Sequence, residues 1–88
     1  MKVEIVYFSI LERLAGKPCE EILLPDGARI EDAVQAACAA HGEDLRRALL
    51  GEGRRYMGTF LRNGQVANAD TPLADGDRVT FLMPLSGG

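Results

Sequence analysis

Apolar and polar residues alternate in several short stretches that are rich in β-branched and aromatic side chains, a pattern typical of β-strands. In the first stretch Val3, Ile5 and Tyr7 share one face. Two later stretches flank Asn63-Gly64, a pair that favours a tight hairpin because both residues accept a positive φ. The predicted strands are residues 2–8, 19–24, 57–62, 65–67 and 78–83.

Residues 30–41 carry apolar side chains at the spacing of an α-helix, which predicts the main helix of the fold. A shorter second helix is expected from Glu43 to Leu50, after a stop at Gly42. Ser9 to Lys17 is predicted to be a bend with at most one helical turn. This order of elements indicates an α+β roll, with one main helix across a mixed sheet. The apolar positions of the main helix are Ile30, Val34, Ala37, Cys38 and His41.

The length of 88 residues fits one compact domain that spans residues 1–88. Apolar residues make up 47% and charged residues 26%, a balance typical of a soluble globular protein. No apolar run approaches the roughly 20 residues needed to span a bilayer, and the N-terminal stretch is charged and alternating, unlike a signal peptide. We therefore expect a cytoplasmic protein.

The net charge of −3, with basic residues mostly scattered, argues against binding to nucleic acid or to an anionic membrane surface. The one concentration of basic residues lacks aromatic neighbours and a glycine cradle. A solvated helix end and loop therefore explains it better than a phosphate site does, and contact with an acidic protein partner is the alternative. These residues are Arg46, Arg47, Arg54 and Arg55.

Few side chains in the sequence could carry catalysis. Cys19 and Cys38 lie in different predicted elements, so they form neither a Cys-x-x-Cys redox pair nor a zinc site, and both are expected to be structural. His41, the only histidine, falls in the last turn of the main helix, where a cation favours the helix dipole. The usual catalytic arrangements are missing from the sequence, which argues against an enzyme.

The chain ends in a short tail, residues 85–88, which we expect to be flexible and which finishes in Gly87-Gly88. Small residues are tolerated at chain ends, so this ending alone is weak evidence. Glycine has no Cβ, however, so the tail could thread a narrow channel and present its carboxylate to a nucleotide. A free carboxylate acylates poorly, so a separate enzyme would have to activate it before sulfur could attack.

Five segments, taken in order, carry a resemblance that covers nearly the whole chain. They are Lys2 to Gly16, Leu24-Pro-Asp-Gly27, Asn63-Gly64, Leu73-Ala-Asp-Gly-Asp77 and Pro84-Leu-Ser-Gly-Gly88. No single segment is decisive, but their joint order and spacing resemble the ubiquitin-like sulfur-carrier family of bacteria and archaea. Within it, the small subunits of molybdopterin synthase are the most similar group.

The resemblance implies a β-grasp fold and a C-terminal Gly88 that a ubiquitin-activating-like enzyme adenylates with ATP and that is then converted to a thiocarboxylate. Gly87 would help the tail to thread. The thiocarboxylate would enter the active site of the larger synthase subunit and donate sulfur to a pterin precursor. The chain would then be a carrier rather than an enzyme, with no tightly bound cofactor of its own.

Other recipients of the sulfur stay open at this point. Thiamine-pathway carriers are usually shorter and have little counterpart to Ser9 to Gly16, while cysteine synthesis, tRNA thiolation and protein conjugation through Gly88 are further alternatives.

The sequence departs from the family pattern at two places. Arg29 replaces the usual Thr or Ser at the start of the main helix, and the Gly51 to Gly58 stretch is longer than in the simplest members. A binding module without this chemistry would have no need of the free glycine end.

A four-residue tail offers too few contacts for a specific interface, so the body of the domain must also bind the partner proteins. The candidates are apolar residues expected off the helix-covered face or beside the tail, Ser86 within the tail, and two rim charges. For Phe60, ordinary packing in the core is an equally good interpretation. The predicted partner-binding residues are Phe60, Leu82, Leu85, Ser86, Arg62 and Arg78.

Overall fold

The computed structural model describes residues 1–50 and 58–83. Within these ranges the chain forms five strands and three helices, and none of these helices is long and apolar enough to cross a membrane. The strands are β1 (Lys2–Tyr7), β2 (Cys19–Leu23), β3 (Thr59–Arg62), β4 (Gln65–Ala67) and β5 (Arg78–Leu82). The helices are α1 (Ile10–Ala15), α2 (Ile30–His41) and α3 (Glu43–Leu50).

The five strands form one mixed sheet in the order β2-β1-β5-β3-β4. β5 lies in the centre, parallel to β1 and antiparallel to β3, while the β1–β2 and β3–β4 pairs are antiparallel. The mixed sheet predicted from the order of elements is confirmed. Because β5 is central, this last described strand is hydrogen-bonded to a neighbouring strand on each side.

Helix α2 begins and ends where the apolar period predicted. Its buried side chains pack on the sheet, and Ala33, which the pattern left out, is buried with them. Arg29 cannot cap a helix with its own side chain, but the Asp32 carboxylate accepts a hydrogen bond of 2.8 Å from the Arg29 backbone N–H. The first N–H groups of the helix, which a capping Ser or Thr would help to satisfy, donate elsewhere: the Ile30 N–H to the Thr71 carbonyl and the Glu31 N–H to the Ala69 carbonyl, each at 3.0 Å.

The stretch after β1 differs from its prediction. Ile10–Ala15 form a six-residue helix with Leu11 and Ala15 buried, so the expectation of at most one helical turn between Ser9 and Lys17 was wrong. The helix ends at Gly16, whose φ of 80° is left-handed and whose N–H donates to the Glu12 carbonyl at 2.9 Å. Only two buried positions mark this helix, too few to reveal a helical period.

The hairpin between β3 and β4 turns at Asn63 (φ 50°) and Gly64 (φ 85°), as predicted. Asp77, which is buried, anchors it. The Asp77 carboxylate accepts hydrogen bonds from Arg62 Nε at 2.7 Å, Asn63 Nδ2 at 3.0 Å and the Ala74 N–H at 2.8 Å. Burial alone would raise the pKa of Asp77, but these donors outweigh it and lower that pKa.

Candidate functional site

The two faces of the sheet have different surroundings. Alternate residues of β1 and β5, together with one residue of β3, are buried in the core shared with the helices: Val3, Ile5, Tyr7, Val79, Phe81 and Phe60. The side chains between them point to the opposite side. We call that opposite side the outer face.

A row of paired residues crosses the whole outer face. The strand register places Cys19 opposite Val6, Val6 opposite Thr80, Thr80 opposite Leu61, and Leu61 opposite Val66. Apart from the thiol at one end and the hydroxyl in the centre, the row is apolar, and Val66 is 78% exposed.

A second row lies next to the first, towards the C-terminal end of β5. Leu82 pairs with Thr59, and Phe8, whose N–H donates to the Phe81 carbonyl, follows directly on β1 and is 49% exposed. A contiguous apolar area of this kind on a small monomer typically marks a site of protein association. We call these residues the outer patch: Val6, Phe8, Leu61, Val66, Thr80 and Leu82.

The other half of the outer face is mainly charged, although Leu23, opposite Lys2, is apolar and 77% exposed. Glu4 lies opposite both Arg78 and Glu21, and its carboxylate accepts a hydrogen bond from Arg78 Nε at 2.7 Å. Lys2 Nζ lies 3.9 Å from Glu21. The sheet therefore offers an apolar area at the end where β5 leaves and a polar rim at the end where it enters, the arrangement common in protein interfaces.

Gly58 fixes the contact between β3 and the end of β5. A Cβ built on Gly58 would collide with the Leu82 backbone carbonyl oxygen, so only glycine lets the two strands approach this closely. This close approach was not predicted from the sequence. A glycine inside the predicted strand 57–62 was the available signal of a close backbone approach, although it could not tell which backbone lies opposite.

The structure confirms the outer-face position of one predicted anchor and corrects another. Leu82 is half-buried in the outer patch, whereas Phe60 is 3% exposed and packs edge-to-face on Phe81 with ring centroids 5.5 Å apart. The expectation that Phe60 lies off the helix-covered face was therefore wrong, and the alternative of core packing holds, because its register opposite Phe81 turns it into the core. Its neighbour Leu61 takes the outer position.

The two predicted rim charges are engaged within the domain. Arg62 is bound to Asp77 beside the hairpin, and Arg78 is bound to Glu4 on the outer face. Arg78 is exposed in the charged half of that face, and its role at the rim of an interface stays a prediction. Arg62 holds the hairpin in place, and any contact with a partner would be an addition to that role.

Several predicted residues lie outside the described part of the chain. They are Leu85, Ser86, Gly87 and Gly88 of the tail, together with Arg54 and Arg55 and most of the Gly51 to Gly58 stretch. Arg46 and Arg47 are exposed on α3, as the interpretation of a solvated helix end requires.

Each thiol of the chain is free, and their environments differ. Cys38 is buried on α2, as predicted, and burial raises the pKa of its thiol. Cys19 is exposed at the edge of the outer face, so a structural role fits Cys38 only. Within residues 1–50 and 58–83 no group of three or more His, Cys, Asp or Glu side chains is arranged to hold a metal ion.

Comparisons with known proteins agree with this geometry. The chain is 28% identical, over 100% of both sequences, to the molybdopterin synthase sulfur carrier subunit of Chlamydomonas reinhardtii. The crystal structure of SAMP1 from Haloferax volcanii has a TM-score of 0.90 at 28% identity, with 100% of both chains covered. Molybdopterin converting factor subunit 1 from Pyrococcus furiosus has a TM-score of 0.82 at 34% identity, with 97% of this chain and 99% of that chain covered.

These similarities confirm the ubiquitin-like β-grasp fold that the sequence resemblance implied. Residues 5–88 match the ThiS family, and this match runs from β1 to the terminal glycine. The chain therefore belongs to the ThiS family.

Proposed function

We propose that this protein is a sulfur carrier whose Gly88 carboxylate is adenylated and then converted to a thiocarboxylate, and that it supplies this sulfur for molybdopterin synthesis as the small subunit of the synthase. The observation that carries the proposal is the family match, which extends through Gly87-Gly88. The relative from Chlamydomonas reinhardtii, similar over its full length, supports the choice of pathway.

The chemistry assigned to Gly88 explains why the reacting group is a chain end. Conversion of the carboxylate to an acyl-adenylate gives the carbonyl a good leaving group, so a sulfur nucleophile can replace it. A tethered carbonyl on a glycine tail enters a narrow active site with little steric hindrance. The partner enzymes then supply the electrostatic catalysis, and the carrier supplies the reacting atom and its recognition.

Two partner proteins follow from this scheme. A ubiquitin-activating-like adenylyltransferase would use ATP on Gly88, and the larger synthase subunit would receive the thiocarboxylate. Both must recognise the body of the domain, and the outer patch lies beside the end of β5, the strand that leads towards the tail. We propose the outer patch as their shared docking surface, in the cytoplasm where ATP is available.

A second function is favoured by one specific comparison. SAMP1 is the small archaeal modifier protein 1, and its fold agrees closely with the fold of this chain. Conjugation to protein lysines would begin with the same activation of Gly88 but would end in an isopeptide bond rather than in release of sulfur. Delivery of sulfur to another recipient, for thiamine, cysteine or tRNA, would share the thiocarboxylate and differ only in the acceptor.

The experiment that tests the proposal loads the protein and then offers it acceptors. Incubation with the activating enzyme, ATP and a sulfur source should give an intact mass heavier by one exchange of oxygen for sulfur. The loaded protein, mixed with the large synthase subunit and the pterin precursor, should return to its original mass as sulfur enters the pterin. If the loaded protein instead accumulates as lysine conjugates and leaves the pterin unchanged, the modifier function is the correct one.

A further inference from the structure

Two side chains from different elements meet at one oxygen of the Glu20 carboxylate, which lies on a third element. The Tyr7 hydroxyl on β1 donates a hydrogen bond to Glu20 Oε2 at 2.5 Å, and His41 Nε2 at the end of α2 lies 2.5 Å from the same oxygen. A carboxylate oxygen only accepts, so His41 Nε2 carries the hydrogen. Glu20 itself lies on β2, so a single oxygen joins the two strands to the helix.

The cluster is largely shielded from water. The His41 and Glu20 side chains are each 14% exposed, and Tyr7 is almost fully buried. The rings of Tyr7 and His41 meet at 89° with their centroids 5.8 Å apart, which fixes the imidazole against the phenol. Hydrogen bonds in such surroundings are stronger than at the surface, and breaking one leaves a polar group without a partner.

The titratable neighbours of Glu20 come from each element around it. Lys17 Nζ lies 3.7 Å from its other oxygen, and Tyr7 and His41 face it from β1 and α2, with Cys38 close to Tyr7. Burial raises the pKa of Tyr7, as does its bond to Glu20, so the phenol stays a neutral donor. Burial also acts to raise the pKa of Glu20, but the bonds from Tyr7 and His41 outweigh it and lower that pKa.

We propose that Tyr7, Glu20 and His41 form a latch that ties the last turn of α2 to the adjoining ends of β1 and β2, and that protonation of Glu20 releases it. A protonated carboxyl is uncharged, so the bonds from Tyr7 and His41 to its oxygen lose their charge assistance and weaken. Tyr7 directly precedes Phe8, so the latch holds the inner side of the strand end that carries the outer patch. The inference does not depend on the proposed function.

The first test compares two substitutions on the same strand. Glu20→Gln removes the titrating carboxylate, and Glu21→Gln makes the same change in charge at an exposed residue whose only described ion pair is with Lys2, at 3.9 Å. Urea unfolding is measured from pH 7 to pH 3. Loss of charge-assisted bonds should raise the unfolding equilibrium constant of Glu20→Gln about tenfold or more at pH 7.

The sign of the pH effect follows from the lowered pKa of Glu20. The stabilisation is complete above the ordinary value of 4.5 and is lost as the pH falls through the lower value in the folded protein. The difference between wild type and Glu20→Gln should therefore shrink below pH 4.5. Glu21→Gln should follow the wild-type curve throughout.

A second measurement locates the opening. Amide hydrogen exchange at Ala40 and His41, in the last turn of α2, and at the following Gly42 should accelerate in Glu20→Gln relative to Gln35 in the middle of the helix, and should not accelerate in Glu21→Gln. Equal pH curves and equal exchange in the two variants would overturn the latch.

If Glu20→Gln does not fold, Tyr7→Phe and His41→Leu provide the test, because each keeps the carboxylate and removes one donor. The latch predicts that the pH at which stability is lost moves upward in both, since the pKa of Glu20 returns towards its ordinary value. If both variants fold and the pH at which stability is lost stays unchanged, the cluster contributes packing alone and the latch is overturned.

Discussion

The two faces of one sheet differ in what holds their side chains. Phe60 and Leu61 are neighbours on β3, yet Phe60 packs on Phe81 in the core while Leu61 lies half-buried between Thr80 and Val66. The inner face buries apolar area against helices, and this burial stabilises the fold. The outer face carries apolar area that no described helix covers, and such an area typically marks a surface that binds another protein. The same strand therefore contributes to folding on one side and, in our proposal, to binding on the other.

The largest expected effect on stability comes from the inner face. Phe60→Ala should lower the free energy of unfolding by about 3–5 kcal/mol, because it removes a buried aromatic side chain and leaves a cavity. Leu61→Ala is the matched control on the outer face and should cost about 1 kcal/mol or less, since that side chain is only half-buried. Urea unfolding measures both. Equal losses would contradict the division between the two faces.

The next effect concerns the anchor of the hairpin. Asp77→Asn should cost about 2–3 kcal/mol at pH 7, because the amide accepts more weakly from Arg62, Asn63 and Ala74. The pKa of Asp77 is lowered in the folded protein, so its contribution is complete above the ordinary value of 3.8 and is lost at lower pH. The variant should show a flatter acid limb in a plot of stability against pH. Asp70→Asn, at an exposed residue outside this network, should leave the limb unchanged.

A smaller effect is expected where β3 meets the end of β5. Gly58→Ala places a methyl group against the Leu82 carbonyl, and the strands must separate to accept it. Overpacking of this kind costs about 1–3 kcal/mol. Thr59→Ala, at the adjacent exposed position, should cost much less. Thermal unfolding of both variants measures the two losses of stability. A Gly58→Ala protein as stable as wild type would contradict the close approach of the two strands.

The smallest effect on stability, and the sharpest test of the comparison, belongs to the outer patch. Leu82→Glu should change the free energy of unfolding by less than about 1 kcal/mol, because the side chain keeps access to water. Its binding to the activating enzyme or to the large synthase subunit should weaken by about 2 kcal/mol or more if Leu82 is an interface anchor. Calorimetric titration gives the binding change. A variant that melts early and binds weakly in parallel would place Leu82 in the core instead.

Local patterns predicted much of the fold. The alternation in β1, the helical period of α2 and the Asn63-Gly64 turn each depend on residues close in sequence, and each was confirmed. The side of the sheet taken by Phe60 was not accessible in this way. Phe60 and Leu61 are both apolar, so alternation cannot choose between them, and the choice is made by the register with Phe81 some twenty residues further on.

The polar cluster was missed for a related reason. His41 already had a local explanation in the favourable charge at a helix end. Glu20 shares a strand face with the apolar Ile22, which was an available signal of a buried carboxylate, but no local pattern indicated its partner. Their contact depends on how α2 crosses the sheet, over a separation of 21 residues. Tertiary packing therefore determined both the cluster and the outer patch, whereas the interpretation of the tail rested on the sequence alone.

The central claim is that the sulfur is carried on Gly88, and fragment mass spectrometry of the loaded protein tests it most directly. The protein in which Cys19 and Cys38 are both changed to alanine should still load, with the added mass on the C-terminal fragment, and some loss of stability is expected from the change at buried Cys38. Deletion of Gly88, or extension by one residue, should abolish loading in a protein that still folds. Loading at the normal rate in either tail variant, or its complete loss in the folded double-alanine protein, would contradict the account and move the chemistry away from the terminal carboxylate.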